Sequence, residues 1–313
     1  MQRSGDLIEA ASVGTNLGII EQQRRHHAQA LQEFDRAIAV FERFGVVDYM
    51  AAALTAKAGT QLEMVQADAA AASIARAKSL MDSVEDRLLS ARIAGMSAKV
   101  NLMRGRLRDA TRDIARLRIL GASQDAAILR ELELRTALAR GDVAGAARLA
   151  QAPFAGDALV PGSLALAAMQ AALAAHDQVT SARWSACRDR IAVARRGPDW
   201  DIADGLLTQS RARTNDALAK ADLAVARVER GGSPEERVLA GVFKARLLRM
   251  QGRIEAAVPV LGDLDAFAAG DYRVAWEALA TYRALRDEAM TRSALARVQA
   301  LSGERDTTIV PAL

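Results

Sequence analysis

The chain has 313 residues, of which 51% are hydrophobic and only 4% aromatic, and Lys+Arg 42 against Asp+Glu 38 leave a net charge of +4. A charged fraction of 26% argues against wholesale disorder, and one cysteine, Cys187, excludes a disulfide framework or a multi-thiolate metal centre. The basic surplus sits in residues 101–200 and is interleaved with acids, without the dense stripe and stacking aromatics that nucleic-acid binding requires.

Met1 to Asp6 has no apolar core of a signal peptide. The longest apolar stretch, Leu164 to Ala175, is interrupted by Gln170 and falls short of the ~20 residues of a membrane span. The expectation is a cytoplasmic protein of a reducing compartment, with no membrane insertion and no direct nucleic-acid contact. Apolar residues recur at helical spacing along the chain, and no stretch alternates with period two.

Taken in order, Arg24-Arg25-His26-His27 marks the turn of a first helical pair. Arg104-Gly105-Arg106 and Arg140-Gly141-Asp142 are short glycine turns between helical patterns. The Pro/Gly-rich stretch from Gln151 to Gly162 divides the chain near its middle, so the expected domains are 1–155 and 156–302. His176-Asp177 reads as another helix turn. Ser233-Pro234-Glu235-Glu236 carries a helix start: a Ser cap, Pro at the first helical position and a Glu reaching back. Gln251-Gly252-Arg253 is a further glycine turn, Pro259 falls early in the helix after it, and Gly303 to Leu313 reads as a flexible, frayed tail.

A small residue recurs just after these turns: Ala30, Ala70, Ala110, Ala146, Ala182, Ala217, Ala257 and Ala289. Twelve positions earlier another small residue often stands, as at Gly18, Ala58, Ala98, Gly205 and Ala245, and a larger apolar residue such as Phe34 often follows by four. Antiparallel helices joined by a tight turn approach closely only where both carry small side chains. Asn16-Leu17-Gly18 with Ala30, Phe34 and Ala37, and Ala245 with Gly252, Ala257, Leu261 and Leu264, resemble the tetratricopeptide repeat. The resemblance covers residues 10–300, although Glu21 stands where that family has an aromatic. It implies an all-α, right-handed α-solenoid of about seven or eight antiparallel helical hairpins.

Chemistry-bearing motifs are absent. The chain lacks phosphate-binding glycine loops, the H-E-x-x-H zinc motif and the G-x-S-x-G nucleophile motif. His26 and His27 are adjacent and diverge on a helix, Cys187 has no base nearby in sequence, and Glu131/Glu133 and Asp109/Asp113 read as surface ion pairs. The expectation is a non-enzyme without cofactor or metal. Arg104, Arg108, Arg112 and Arg116 form a stripe, read as a solvated face neutralised by Asp109 and Asp113.

The resemblance also implies a groove lined by the first helix of each hairpin. Its exposed side should carry Ser12, Thr15, Ile19 and Gln22, then Arg92 and Lys99, Glu131 and Arg135, and Arg246 and Arg249. Such a surface suits a peptide or partner helix, and Arg92, Lys99 and Arg135 suggest an acidic one. Thr15 and Ile19 replace the Lys and Asn with which chaperone-tail-binding repeats clamp a carboxylate. The expected function is a protein-interaction scaffold. Arrays of this kind resemble the C-terminal parts of bacterial winged-helix regulators and serine/threonine kinases, implying a role in signalling or transcription regulation. The alternative is a ligand-sensing regulatory domain, with Trp184, Trp200, Tyr272, Trp276 and Tyr282 lining a pocket.

Overall fold

The computed structural model describes residues 2–81, 85–121, 125–152, 160–192 and 196–313. Among them are sixteen α-helices and no strand. They form eight consecutive pairs: α1 (Gln2–Gln23) with α2 (His27–Phe44), α3 (Val47–Glu63) with α4 (Ala67–Leu80), α5 (Arg87–Met103) with α6 (Leu107–Leu120), and α7 (Ala126–Ala139) with α8 (Val143–Gln151). Then come α9 (Gly162–Ala174) with α10 (Gln178–Asp189), α11 (Pro198–Ser210) with α12 (Thr214–Glu229), α13 (Pro234–Met250) with α14 (Ile254–Gly262), and α15 (Tyr272–Leu285) with α16 (Glu288–Ser302).

The chain divides into two compact units, residues 1–101 with 108–125, and residues 102–107 with 126–313. Within each unit, helices stack on those next to them in sequence, as in an α-solenoid. The mid-chain boundary expected at 155/156 lies in 153–159, outside the described residues.

One backbone feature recurs at the turn inside all eight pairs. The residue two before the second helix has a positive φ: Arg25, Val65, Gly105, Gly141, His176, Ala212, Gly252 and Arg286. A left-handed residue lets the next amide reach back to a carbonyl five residues earlier, closing the first helix while aiming the second. His26 N–H bonds Glu21 O (2.9 Å), Asp177 N–H bonds Ala172 O (2.8 Å) and Arg253 N–H bonds Leu248 O (2.9 Å). Only three of the eight are glycine, the residue that adopts this conformation at no steric cost.

Five residues beyond the left-handed position, the second helix meets the first. Ala30, Ala70, Ala110, Ala146, Ala217 and Ala257 are fully buried there. In the fifth pair the place belongs to Ser181, which is buried, whereas Ala182 is exposed; in the eighth it belongs to Thr291, whereas Ala289 is exposed. Sequence spacing slipped at those two pairs because alanine is common on both faces of these helices. The partner positions Gly18, Ala58, Ala98, Gly205 and Ala245 are all buried. A Cβ at Gly18 would come within 2.7 Å of the Phe34 ring, and one at Gly205 within 2.7 Å of the Phe243 ring. Glycine is thus required there by close approach rather than by φ.

The start signal at Ser233 is a complete capping box: Glu236 N–H donates to Ser233 Oγ (3.2 Å), and Ser233 N–H donates to Glu236 Oε2 (2.8 Å). Helix α14 ends three residues after Pro259 and is followed by a short 3-10 turn, Asp265–Phe267.

Two expectations follow for stability. Ala212 and Arg286 are exposed and hold a Cβ in the left-handed region, so Ala212→Gly or Arg286→Gly should each stabilise by about 0.5–1.5 kcal/mol in urea denaturation. Conversely, Ala110→Leu or Ala257→Leu should cost about 1–3 kcal/mol by overpacking the crossing.

Candidate functional site: the first-helix face of the second unit

The residues expected to line a basic groove fare differently from one another. Arg92 is exposed and Lys99 half-buried on α5, in the first unit. Gln22 is turned inward, its Nε2 donating to Glu63 Oε1 (2.8 Å); Glu63 also takes Arg25 (3.2 Å) and His27 Nε2 (2.9 Å). Thr15 returns its hydroxyl to Ala11 O, and Ile19 packs on the core.

In the second unit, Glu131 is buried rather than a surface acid. It accepts from Ser163 Oγ (2.7 Å) and lies 3.1 Å from Arg135 Nε. Arg246 and Arg249 are not free cations of a groove. Both converge on Glu277, a carboxylate with no solvent exposure: Arg246 Nε at 3.2 Å and Arg249 Nε at 2.7 Å. Glu277 thereby offsets one of the two positive charges and holds both guanidinium groups in place, because a carboxylate removed from water needs a cation at hand.

The surface-acid reading also fails for Asp113 in the first unit. It is buried and accepts from Lys78 Nζ (2.8 Å), Ser97 Oγ (2.5 Å) and Asn101 Nδ2 (2.8 Å). Of the arginine stripe, Arg108, Arg112 and Arg116 are exposed and Arg104 is half-buried; Arg112 pairs with Asp109 at 3.1 Å.

The largest departure from expectation is residues 303–313. This segment is not a frayed tail but lies along the second unit as a bound peptide would. Glu304 N–H donates to Gly105 O (2.9 Å), returning the chain to a turn far earlier in the sequence. The Arg305 guanidinium sits over the Tyr272 ring, 4.7 Å from its centroid, and donates to the carbonyls of Leu102 and Met103. Burial pushes that guanidinium down to about 10, against the pull of Asp271. Trp276 Nε1 donates to Thr307 O (3.1 Å), and Arg246 donates to Pro311 O (3.1 Å). Asp306 accepts from the backbone and hydroxyl of Thr308, and Leu313 is buried.

Two turn glycines admit the segment: a Cβ on Gly105 would collide with the Ser302 carbonyl, and one on Gly141 would come within 2.6 Å of Ile309 Cδ1. Sequence reasoning missed this contact because its partners are main-chain carbonyls, to which no side-chain pattern points. Glu277 left one usable signal. It is an acid in the apolar run Val274-Ala275-Trp276-Glu277-Ala278-Leu279, a place where burial would need basic partners.

Other chemistry is sparse. The aromatics proposed for a pocket are spread out: Trp184 Nε1 bonds Ala150 O (3.0 Å), Tyr272 lies under Arg305, and Tyr282 packs in the last hairpins. Trp184 and Trp200 flank a cleft of about 10 Å³, room for one water molecule. Among the described residues, no three His, Cys, Asp or Glu side chains gather as a metal site would require, and no helix is long and apolar enough to cross a membrane. No family model matches the chain, and no curated protein matches it in sequence.

The carboxyl of Asp199 on α11 is raised into the neutral range, to about 7. Burial is the main cause, with Glu235, Glu236 and Glu131 adding to it and Arg135 opposing it. Its Oδ1 is sealed from solvent and has no hydrogen-bond partner among the described residues. The folded state therefore binds this proton more tightly than the unfolded chain, whose aspartate titrates near ~3.9. Between about pH 4 and pH 7 stability should fall as pH rises, by about 1–3 kcal/mol in all. Asp199→Asn should flatten that slope in urea titrations at successive pH values, and an unchanged slope would contradict the assignment.

Proposed function

We propose that this protein is a non-enzymatic interaction scaffold of the tetratricopeptide type, which takes an extended peptide across the first helices α13 and α15 of its second unit. The observation that carries the reading is the seat of residues 303–313. Trp276 and Arg246 hold two carbonyls four residues apart, Thr307 and Pro311, while Ile309 between them rests against Gly141. Grips on main-chain carbonyls are tolerant of sequence, and the alternate contact of an aliphatic side chain adds selectivity; this is the division of labour in extended-peptide recognition. The segment stands in for the partner.

The partner is a protein segment with an aliphatic residue at the Ile309 place. Pairing of Arg135 with the buried Glu131 at 3.1 Å withdraws it from the acidic-partner reading, which then rests on Arg92 and Lys99. A role in cytoplasmic signalling or transcription regulation accords with the resemblance to regulator and kinase repeat regions. A small-molecule sensor is less well supported, since the aromatic cleft has room for little more than water.

Because the segment is tethered, it competes at an effective concentration of about 1 mM, and a partner must bind well enough to displace it. A chain ended after Ser302 should bind a fluorescein-labelled peptide of residues 303–313 in anisotropy titrations. The intact chain should bind the same peptide far more weakly, and Arg246→Ala in the shortened chain should weaken binding about tenfold. Equal weak or absent binding by both chains would contradict the proposal.

A further inference from the structure

Helix α1 presents an apolar stripe to solvent on the side opposite its core contacts. Val13 is 62% exposed, Leu17 41% and Ile20 43%, while Ala11 and Gly18 face inward. The repeat makes this stripe unusual. Counting back 17, 13 and 10 positions from the crossing residues of the fifth and eighth hairpins, Ser181 and Thr291, gives Leu164, Ala168 and Ala171 on α9, and Val274, Ala278 and Thr281 on α15. Those side chains are buried, on helices that stack against the preceding hairpin. The same count from Ala30 gives Val13, Leu17 and Ile20, so the exposed stripe of α1 is a stacking face.

The stripe has a second property. Asp6, Ala10, Val13, Leu17, Ile20 and Arg24 are spaced 4, 3, 4, 3 and 4, the spacing of a two-helix coiled-coil seam. All of them are exposed. They are also palindromic about residue 15: 13 mirrors 17, 10 mirrors 20, and 6 mirrors 24. Laid antiparallel on its own copy, α1 would set Val13 against Leu17 and Ala10 against Ile20 at the centre. Asp6 would meet Arg24 at both ends. Arg24 makes an exposed contact with Glu21 at 3.3 Å, which leaves its side chain 64% exposed and within reach of a partner. A two-fold interface requires that kind of self-complementarity, acid facing base and apolar facing apolar under one rotation.

We infer that α1 is a homodimerisation helix, which docks antiparallel on α1 of a second copy of this chain. A 22-residue helix is about 33 Å long, and one helix-pair contact is smaller than a standard protein interface. The dimer is accordingly weak, with Kd about 1–100 µM. It rests on residues of the first unit alone, whereas the peptide-binding reading rests on residues of the second, so its failure would not touch that reading.

Sedimentation equilibrium of the intact chain tests the inference. The unaltered chain should dimerise reversibly with concentration. Val13→Glu combined with Leu17→Glu should be monomeric throughout with an unchanged circular dichroism spectrum, since both side chains are exposed. Asp6→Arg alone and Arg24→Asp alone should each weaken the dimer about 3–10-fold, because each places like charges opposite one another. Mixed in equal amounts, those two variants again set an acid against a base at both ends of the seam, and association should return to the unaltered level. A chain monomeric at about 200 µM overturns the inference. So does a dimer indifferent to the Val13 and Leu17 changes, or a mixture that associates no better than its components.

Discussion

Everything in this protein depends on how two helices are made to turn back and touch. Each pair does so with one residue in the left-handed region and, five residues later, one small side chain at the crossing. The first sets the direction of the second helix; the second sets how near it comes. Neither needs a large aromatic core, which explains how a chain with 4% aromatic residues can stack sixteen helices among its described residues. Buried alanine contributes little area individually, so stability has to come from repetition and from close main-chain approach. The few large side chains sit where they are most effective, with Phe34 and Phe243 filling the space that Gly18 and Gly205 leave open.

The turn glycines link that packing rule to the seat of residues 303–313. Gly252 has open space around its α-carbon and answers only to backbone conformation. Gly105 and Gly141 answer to conformation and also admit residues 302–309, which press on them from the end of the chain. Residue types chosen by turn geometry thus also make room for residues 302–309. The ion pairing follows the same economy. The fully buried Glu277 keeps Arg246 and the half-buried Arg249 in place, and Arg246 directs a remaining donor at the Pro311 carbonyl. A buried carboxylate with two guanidiniums is a rigid mount for such a donor, since removing Glu277 would leave the buried Arg246 uncompensated.

Much of the fold is legible in the sequence alone. Helical period, glycine turns at 105, 141 and 252, and in-phase alanines led to all-α hairpins. The turns at Arg25 and His176 were legible as polar breaks without a glycine, whereas those at Val65, Ala212 and Arg286 carried no mark, since residue type does not announce a positive φ outside glycine. The phase slipped at Ala182 and Ala289 because the chain is rich enough in alanine to offer a false match one or two residues away. The site was less legible than the fold. Arg246 and Arg249 lie on α13 and Glu131 on α7, but the exposure expected of them is not found, because their surroundings are set by Glu277 and Ser163 from neighbouring hairpins. Residues 303–313 looked free because they lack apolar periodicity, and their hold is on main-chain atoms.

The central functional claim is that residues 303–313 occupy the second unit's peptide surface in the resting protein. Amide hydrogen exchange of the intact chain, read by mass spectrometry, tests it most directly. The account predicts slowed exchange at Glu304, Arg305 and Ile309, whose N–H groups donate to Gly105, Ser302 and Asp306. Exchange across 303–313 at the rate of an unstructured peptide would contradict it.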